Sequence, residues 1–152
     1  MKGKNTLYME TTVVPVVKTA AEITGLLVKS GATRVETNYE SGKITGLRWT
    51  IRVAGTELLY SMPARVGTVF EIFRKRRKRT ISRAELENLK EQAERVAWRQ
   101  LLRWVQAQIA MIECGMTDSS EVFFAYLTHP ETGKTVYSVF VDQKFKMLAP
   151  PQ

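Results

Sequence analysis

Cysteine and histidine are almost missing from this 152-residue chain: Cys114 and His129 are the only ones. A single thiol excludes an internal disulfide framework, and one residue of each type excludes a zinc site built from Cys and His alone. That usage is compatible with a reducing compartment. Long apolar runs are lacking too. No stretch approaches the roughly 18 uninterrupted apolar residues of a spanning helix, and Met1-Lys2-Gly3-Lys4-Asn5 is not followed by the apolar region of a signal peptide. The expectation is a soluble, cytoplasmic protein with no membrane partner. Acids are in deficit, 15 against 23 Lys and Arg, for a formal charge of +8. An excess of that size directs attention to polyanions or acidic surfaces as partners.

What is present is enough for one ordinary domain. At 44% hydrophobic residues, the chain can bury a core without staples. A single globular domain is expected over 1–148, with a loose tail at 149–152, Ala149-Pro150-Pro151-Gln152. The charge is unevenly placed. Residues 1–73 hold nine bases and six acids, 80–113 hold five of each, and 114–152 hold three bases and four acids. Arg74-Lys75-Arg76-Arg77-Lys78-Arg79 therefore carries three quarters of the net charge in six consecutive positions. Such a block repels itself unless anions screen it, so a basic loop or helix end is expected at 74–82.

Periodicity supplies the elements. Residues 14–29 read as a helix, with Pro15 in its first turn, Val17, Ala20, Ala21, Leu27 and Val28 on one face, and Gly31 as the stop. Thr33 to Tyr39 sets Val35, Thr37 and Tyr39 against Arg34, Glu36 and Asn38 as a strand, closed by the turn at 40–43. Ile44 to Val53 alternates Leu47, Trp49, Ile51 and Val53 against Arg48, Thr50 and Arg52. After Ala54-Gly55-Thr56, a third strand is expected from Glu57 to Ser61. Val66, Val69, Phe70 and Phe73 then mark a helix over 64–73 that runs into the basic block.

Ser82 with Glu85 forms a capping-box pattern that opens a long helix to Glu113, with Gly115 beyond it. Its second half carries Ala97, Leu101, Trp104 and Met111 on one face and Trp98, Leu102, Val105, Ile109 and Ile112 on another, which predicts the most buried helix of the protein. Asp118 with Glu121 caps a segment over 122–127 that is either helix or strand. Residues 130–133 read as a turn, and Thr135 to Val141, rich in Val, Phe and Tyr, as a strand. The fold class is α+β: helix, three-stranded antiparallel meander, helix, long buried helix, short C-terminal segment and strand. The first half shares its element order with the double-stranded-RNA-binding fold, an order that carries no function by itself.

Three small motifs read most simply as structure. Gly133-Lys134-Thr135 ends like a phosphate-binding loop, but that motif needs a glycine where Thr128 stands, so it is read as a turn. His129 precedes a proline in the same turn, with no nucleophile or orienting carboxylate at a useful spacing. Cys114 reads as a small buried residue, since no adjacent base would lower its pKa. Asp142-Gln143-Lys144, placed at the end of an expected strand, has the Asp-x-Lys form of Mg²⁺-dependent nucleases. Asp142 and Lys144 are the candidates of that alternative, which also needs a second carboxylate such as Glu121, Glu131 or Asp118.

The basic residues are the dominant signal. Arg74, Lys75, Arg76, Arg77, Lys78 and Arg79 can displace counterions from a phosphate backbone, and the planar arginine fork grips phosphate in two places. Arg83 adjoins them. Arg95, Arg99 and Arg103, four apart, stack along one helix face, with Glu91 available to Arg95. That line is either a second positive surface or an internally paired face. Arg48 and Arg52 share a strand face that could track a backbone, with Tyr39 or Tyr60 to stack on bases. Trp49, Trp98 and Trp104 are assigned to the core.

The stretch Arg95 to Gln108 through Gly115-Met116, with Lys18-Thr19-Ala20-Ala21-Glu22-Ile23 and Met62-Pro63-Ala64, resembles uncharacterised small proteins encoded in bacteriophage and mobile-element genomes. The resemblance spans most of residues 13–128 and brings no catalytic motif. It implies a setting in which small basic proteins handle DNA during replication or recombination. Together these observations lead to the expectation of a non-enzymatic nucleic-acid-binding domain, single-stranded DNA or RNA favoured, that needs neither metal nor cofactor. A homo-oligomer or a protein partner is allowed. The rivals are an interaction or inhibitor module docking on an acidic protein, and the nuclease.

Overall fold

A computed structural model describes residues 6–152; Met1 to Asn5, the start of the expected domain, lies outside them. Helix α1 (Val16–Lys29) leads into a meander of β1 (Ala32–Glu40), β2 (Lys43–Val53) and β3 (Thr56–Pro63) in the order β1-β2-β3, all antiparallel. Helices α2 (Val66–Arg76) and α3 (Arg83–Glu113) follow, then α4 (Ser119–Val122), a 3₁₀ turn (Phe124–Tyr126), α5 (Val136–Asp142) and a last 3₁₀ turn (Lys146–Leu148). This is the α+β architecture that the periodicity predicts. No helix among the described residues is long and apolar enough to cross a membrane.

Local chemistry sets most boundaries. The two hairpins close on Ser41-Gly42 and Ala54-Gly55, all four at positive φ, the pairing that lets a two-residue turn match the strand twist. Ser82 and Glu85 cap α3 reciprocally, each side chain taking the other's backbone N–H at 3.2 Å. At its far end, Gly115 at φ 72° lets Met116 N–H reach the Met111 carbonyl and its own N–H the Ile112 carbonyl, a Schellman stop. Gly46 in β2 has a different cause: a Cβ there would lie 2.7 Å from the Met62 carbonyl oxygen.

The core forms where α1 and α3, side by side, meet one face of the sheet. Ile23 and Leu27 of α1, Leu47, Trp49, Tyr60 and Met62 of the sheet, and Trp98, Leu102, Val105 and Ile109 of α3 pack in one cluster. Burying each large apolar side chain contributes about 1.5–3 kcal/mol relative to exposure. Trp49 stacks on Tyr60, with ring centroids 5.4 Å apart, and Phe123 meets Trp49 and Trp104 edge-on, anchoring the C-terminal segment. A second cluster joins Val66, Val69, Phe70 and Phe73 of α2 to Leu89, Ala93 and Val96 of α3.

Several expectations are corrected. Thr135 to Val141 is not a strand: Thr135 caps Ser138 N–H at 3.1 Å and α5 follows. Among the described residues the segment has no strand neighbour beyond one bridge from Thr135 to Thr128, whereas a helix satisfies its backbone locally. Residues 122–127 resolve as the end of α4 and the 3₁₀ turn. Pro15 is the N-cap of α1 rather than a first-turn residue. The buried face of α1 is Thr19, Ala20, Ile23 and Leu27, with Val17 and Val28 outside. Irregularities between Ala32 and Arg34 and between Asn38 and Tyr39 break the alternation of β1, so Tyr39 is exposed. Cys114 is exposed because it caps the end of α3 beyond the core, and Met111 is also partly outside.

Candidate nucleic-acid interface

The basic block straddles the end of α2. Arg74, Lys75 and Arg76 form the last helical turn, where cations favour the negative end of the helix dipole, and Arg77 turns into extended backbone. Residues 77–82 then cross to the capped start of α3, where Arg83 is the first helical residue. Three of the six charges are met within the chain. Arg74 pairs with Glu71 at 2.9 Å, Arg76 with Glu10 at 2.5 Å, and Arg79 with Glu85 at 2.9 Å. Hydrogen bonds from Arg74 and Arg79 hold the carboxyls of Glu71 and Glu85 below the usual carboxylate range. Lys75, Arg77, Lys78 and Arg83 make no ion pair among the described residues.

Lys75, Arg77 and Lys78 rim an open groove of about 670 Å³ between the end of α2, the N-terminal segment and α3, lined also by Thr6, Glu10, Thr11 and Gln92 among others. A smaller hollow of about 240 Å³ adjoins it across Arg77, Leu89 and Gln92. The floor is built by residues that composition did not single out. Gln92 donates to the carbonyls of Glu10 and Thr12 at 2.8 and 2.9 Å, and Gln100 to that of Tyr8 at 2.5 Å, strapping the N-terminal segment across α3. A glutamine on a helix face gives no sign of such a role until its long-range partner is known.

The other predicted residues are not gathered here. Arg95 donates to Gln92, not Glu91, at 2.6 Å. Arg99 bonds Glu22 and Thr19, and the Arg103 guanidinium lies 4.4 Å from the Tyr8 ring centroid. The Arg95–Arg103 line is thus an internally engaged face. On the sheet, Arg52 pairs with Glu57 at 3.2 Å, and Arg48 has a buried Nε without a hydrogen-bond partner among the described residues. Tyr60 is fully buried and cannot stack on a base.

The Asp-x-Lys pair loses the strand end it was read on. Asp142 closes α5 and pairs with Lys134 at 2.7 Å, while Lys144 sits in the following turn at φ 51°. Among the described residues, no three His, Cys, Asp or Glu are grouped to hold a metal. His129 is exposed in its turn, its Nδ1 accepting from the N–H groups of Glu131 and Thr132. A separate open groove of about 540 Å³ runs between β3 and α5, largely apolar, with Leu59, Phe124, Leu127, Val136, Val139 and Phe140 on its walls. No family model matches the chain, and neither a curated protein nor a solved structure matches it.

Proposed function

We propose that the protein binds nucleic acid without catalysing a reaction on it, through the connection between α2 and α3. The observation that supports this reading is the set of cations Lys75, Arg77 and Lys78, without an ion pair among the described residues, beside an open groove, with Arg83 following at the start of α3, within a chain of net charge +8. Contacts of this kind grip phosphate and give no base preference. A short cationic loop suits a strand that can bend to it. A duplex calls for a broader rigid face, and the Arg95, Arg99 and Arg103 side chains that could widen this one have partners within the chain. Single-stranded DNA or RNA is therefore the favoured ligand, and phage-type replication or recombination the proposed setting. Binding or annealing a strand there requires no cofactor.

The test is fluorescence anisotropy with labelled single- and double-stranded oligonucleotides at two salt concentrations. Binding that weakens steeply with salt and is lost in the Lys75→Glu, Arg77→Glu, Lys78→Glu variant supports the proposal. No binding at low ionic strength, or binding indifferent to those substitutions, overturns it. The apolar groove between β3 and α5 supports a second reading distinct from docking of the basic surface on an acidic protein: an interaction module that uses this groove, which predicts a partner lost on Phe124→Ser or Val139→Ser while the basic variant retains it.

A further inference from the structure

We infer that the protein self-associates through the free edge of β1 and the flank of α1 above it. In the order β1-β2-β3, one edge of β1 has no strand beside it, and no other segment among the described residues gives it a backbone hydrogen bond. Such an edge is a template for another chain. The irregularities that guard it lie near its ends and leave Arg34 to Asn38 in regular register.

The helix above adds apolar surface on the same side. Glu22 and Thr19 meet Arg99, and Lys29 meets Glu113, so these mark the flank of α1 that faces α3. At about 100° per residue, Val17, Ala21 and Val28 point on average about 130° away from the mean direction of those three. Because α1 packs over β1 and β2 beside α3, that opposite flank overhangs the β1 edge. Val17 and Val28 are 68% and 55% exposed.

Charge selects a second copy of the chain as the occupant. Arg34 and Glu36 project from the same face of β1 and have no ion pair among the described residues. An antiparallel pairing with its two-fold axis at Val35 sets each Arg34 opposite the Glu36 of the other copy. Shifting the axis by one residue sets Glu36 against Glu36 or Arg34 against Arg34, which is repulsive. The interface is isologous and closes as a dimer with a six-stranded sheet.

Sedimentation equilibrium of the full chain tests it. The wild type should show a concentration-dependent dimer. Arg34→Glu and Glu36→Arg singly should each weaken it by about tenfold, because two symmetric pairs become repulsive. The double exchange should restore it. Val17→Glu, on an exposed flank, should also weaken it, and circular dichroism should show every variant folded. A monomer at all concentrations, a dimer indifferent to the single reversals, or a folded double variant that fails to recover overturns the inference. None of these substitutions touches 74–79, so the outcome is independent of nucleic-acid binding.

Discussion

The Arg99 guanidinium donates to both oxygens of the Glu22 carboxylate, at 3.3 and 3.4 Å, and this pair ties the middle of α3 to α1. Arg99 is only 18% exposed, and the same Nη1 reaches the Thr19 hydroxyl. Arg99→Ala is expected to cost about 1 kcal/mol of stability, measured by urea unfolding, and to leave oligonucleotide affinity unchanged. A loss of affinity without loss of stability would return Arg99 to the interface.

The unpaired block residues behave in the opposite sense. With three to four phosphates met, log Kobs should fall with log salt at a slope of about −2 to −4, the smaller figure applying to single strands. Replacing Lys75, Arg77 and Lys78 by Ala should flatten that slope while leaving the unfolding midpoint where it was. A salt-independent affinity in the wild type would remove the electrostatic basis of the proposal.

Ser82 caps α3 between Ile81 and Glu85, which line the smaller hollow, so its cap couples stability to the shape of the basic loop. Ser82→Ala should cost about 1 kcal/mol. Amide exchange of the first turn of α3 should quicken, with α1 and the sheet unaffected.

Tyr60 is fully buried, and its hydroxyl has no hydrogen-bond partner among the described residues. Burial raises its pKa above the ordinary phenol value, and the Glu94 carboxylate raises that of Lys43. A raised folded pKa means stability present below the unfolded pKa and lost as pH climbs through the folded one, so both groups weaken the fold above about pH 10. Tyr60→Phe should stabilise the protein by about 1 kcal/mol at neutral pH and shrink the alkaline loss, read from melts across pH.

Ala54 occupies the first turn position of its hairpin at φ 48°, a conformation that a Cβ disfavours. Asn tolerates it and suits this turn before Gly55. Ala54→Asn is expected to raise stability by about 0.5–1 kcal/mol, a difference that a chemical melt resolves.

Where the sequence read correctly, the interactions are short in range. The Ser82–Glu85 box, the stop at Gly115 and the two hairpin turns involve residues a few positions apart, so their chemistry is written in consecutive letters. Alternation placed Leu47, Trp49 and Ile51 inward for the same reason, because the pleat has a period of two. The readings that failed depended on a neighbour. Thr135 to Val141 has strand composition, but composition becomes a strand only if another strand has a free edge in reach. Val17 and Val28 are apolar and helical, but which apolar stripe is buried depends on where α3 and the sheet lie.

The candidate site divides along the same line. The run of six cations and the +8 charge are properties of the chain in any conformation, and the sequence by itself determined them. Which cations remain unpaired was decided by folding. Glu10 reaches Arg76 across 66 positions and Glu22 reaches Arg99 across 77, and only packing brings such distant groups within a few ångströms. An ion pair forms where two side chains are brought together in space, and separation along the chain is silent about that until the core has closed.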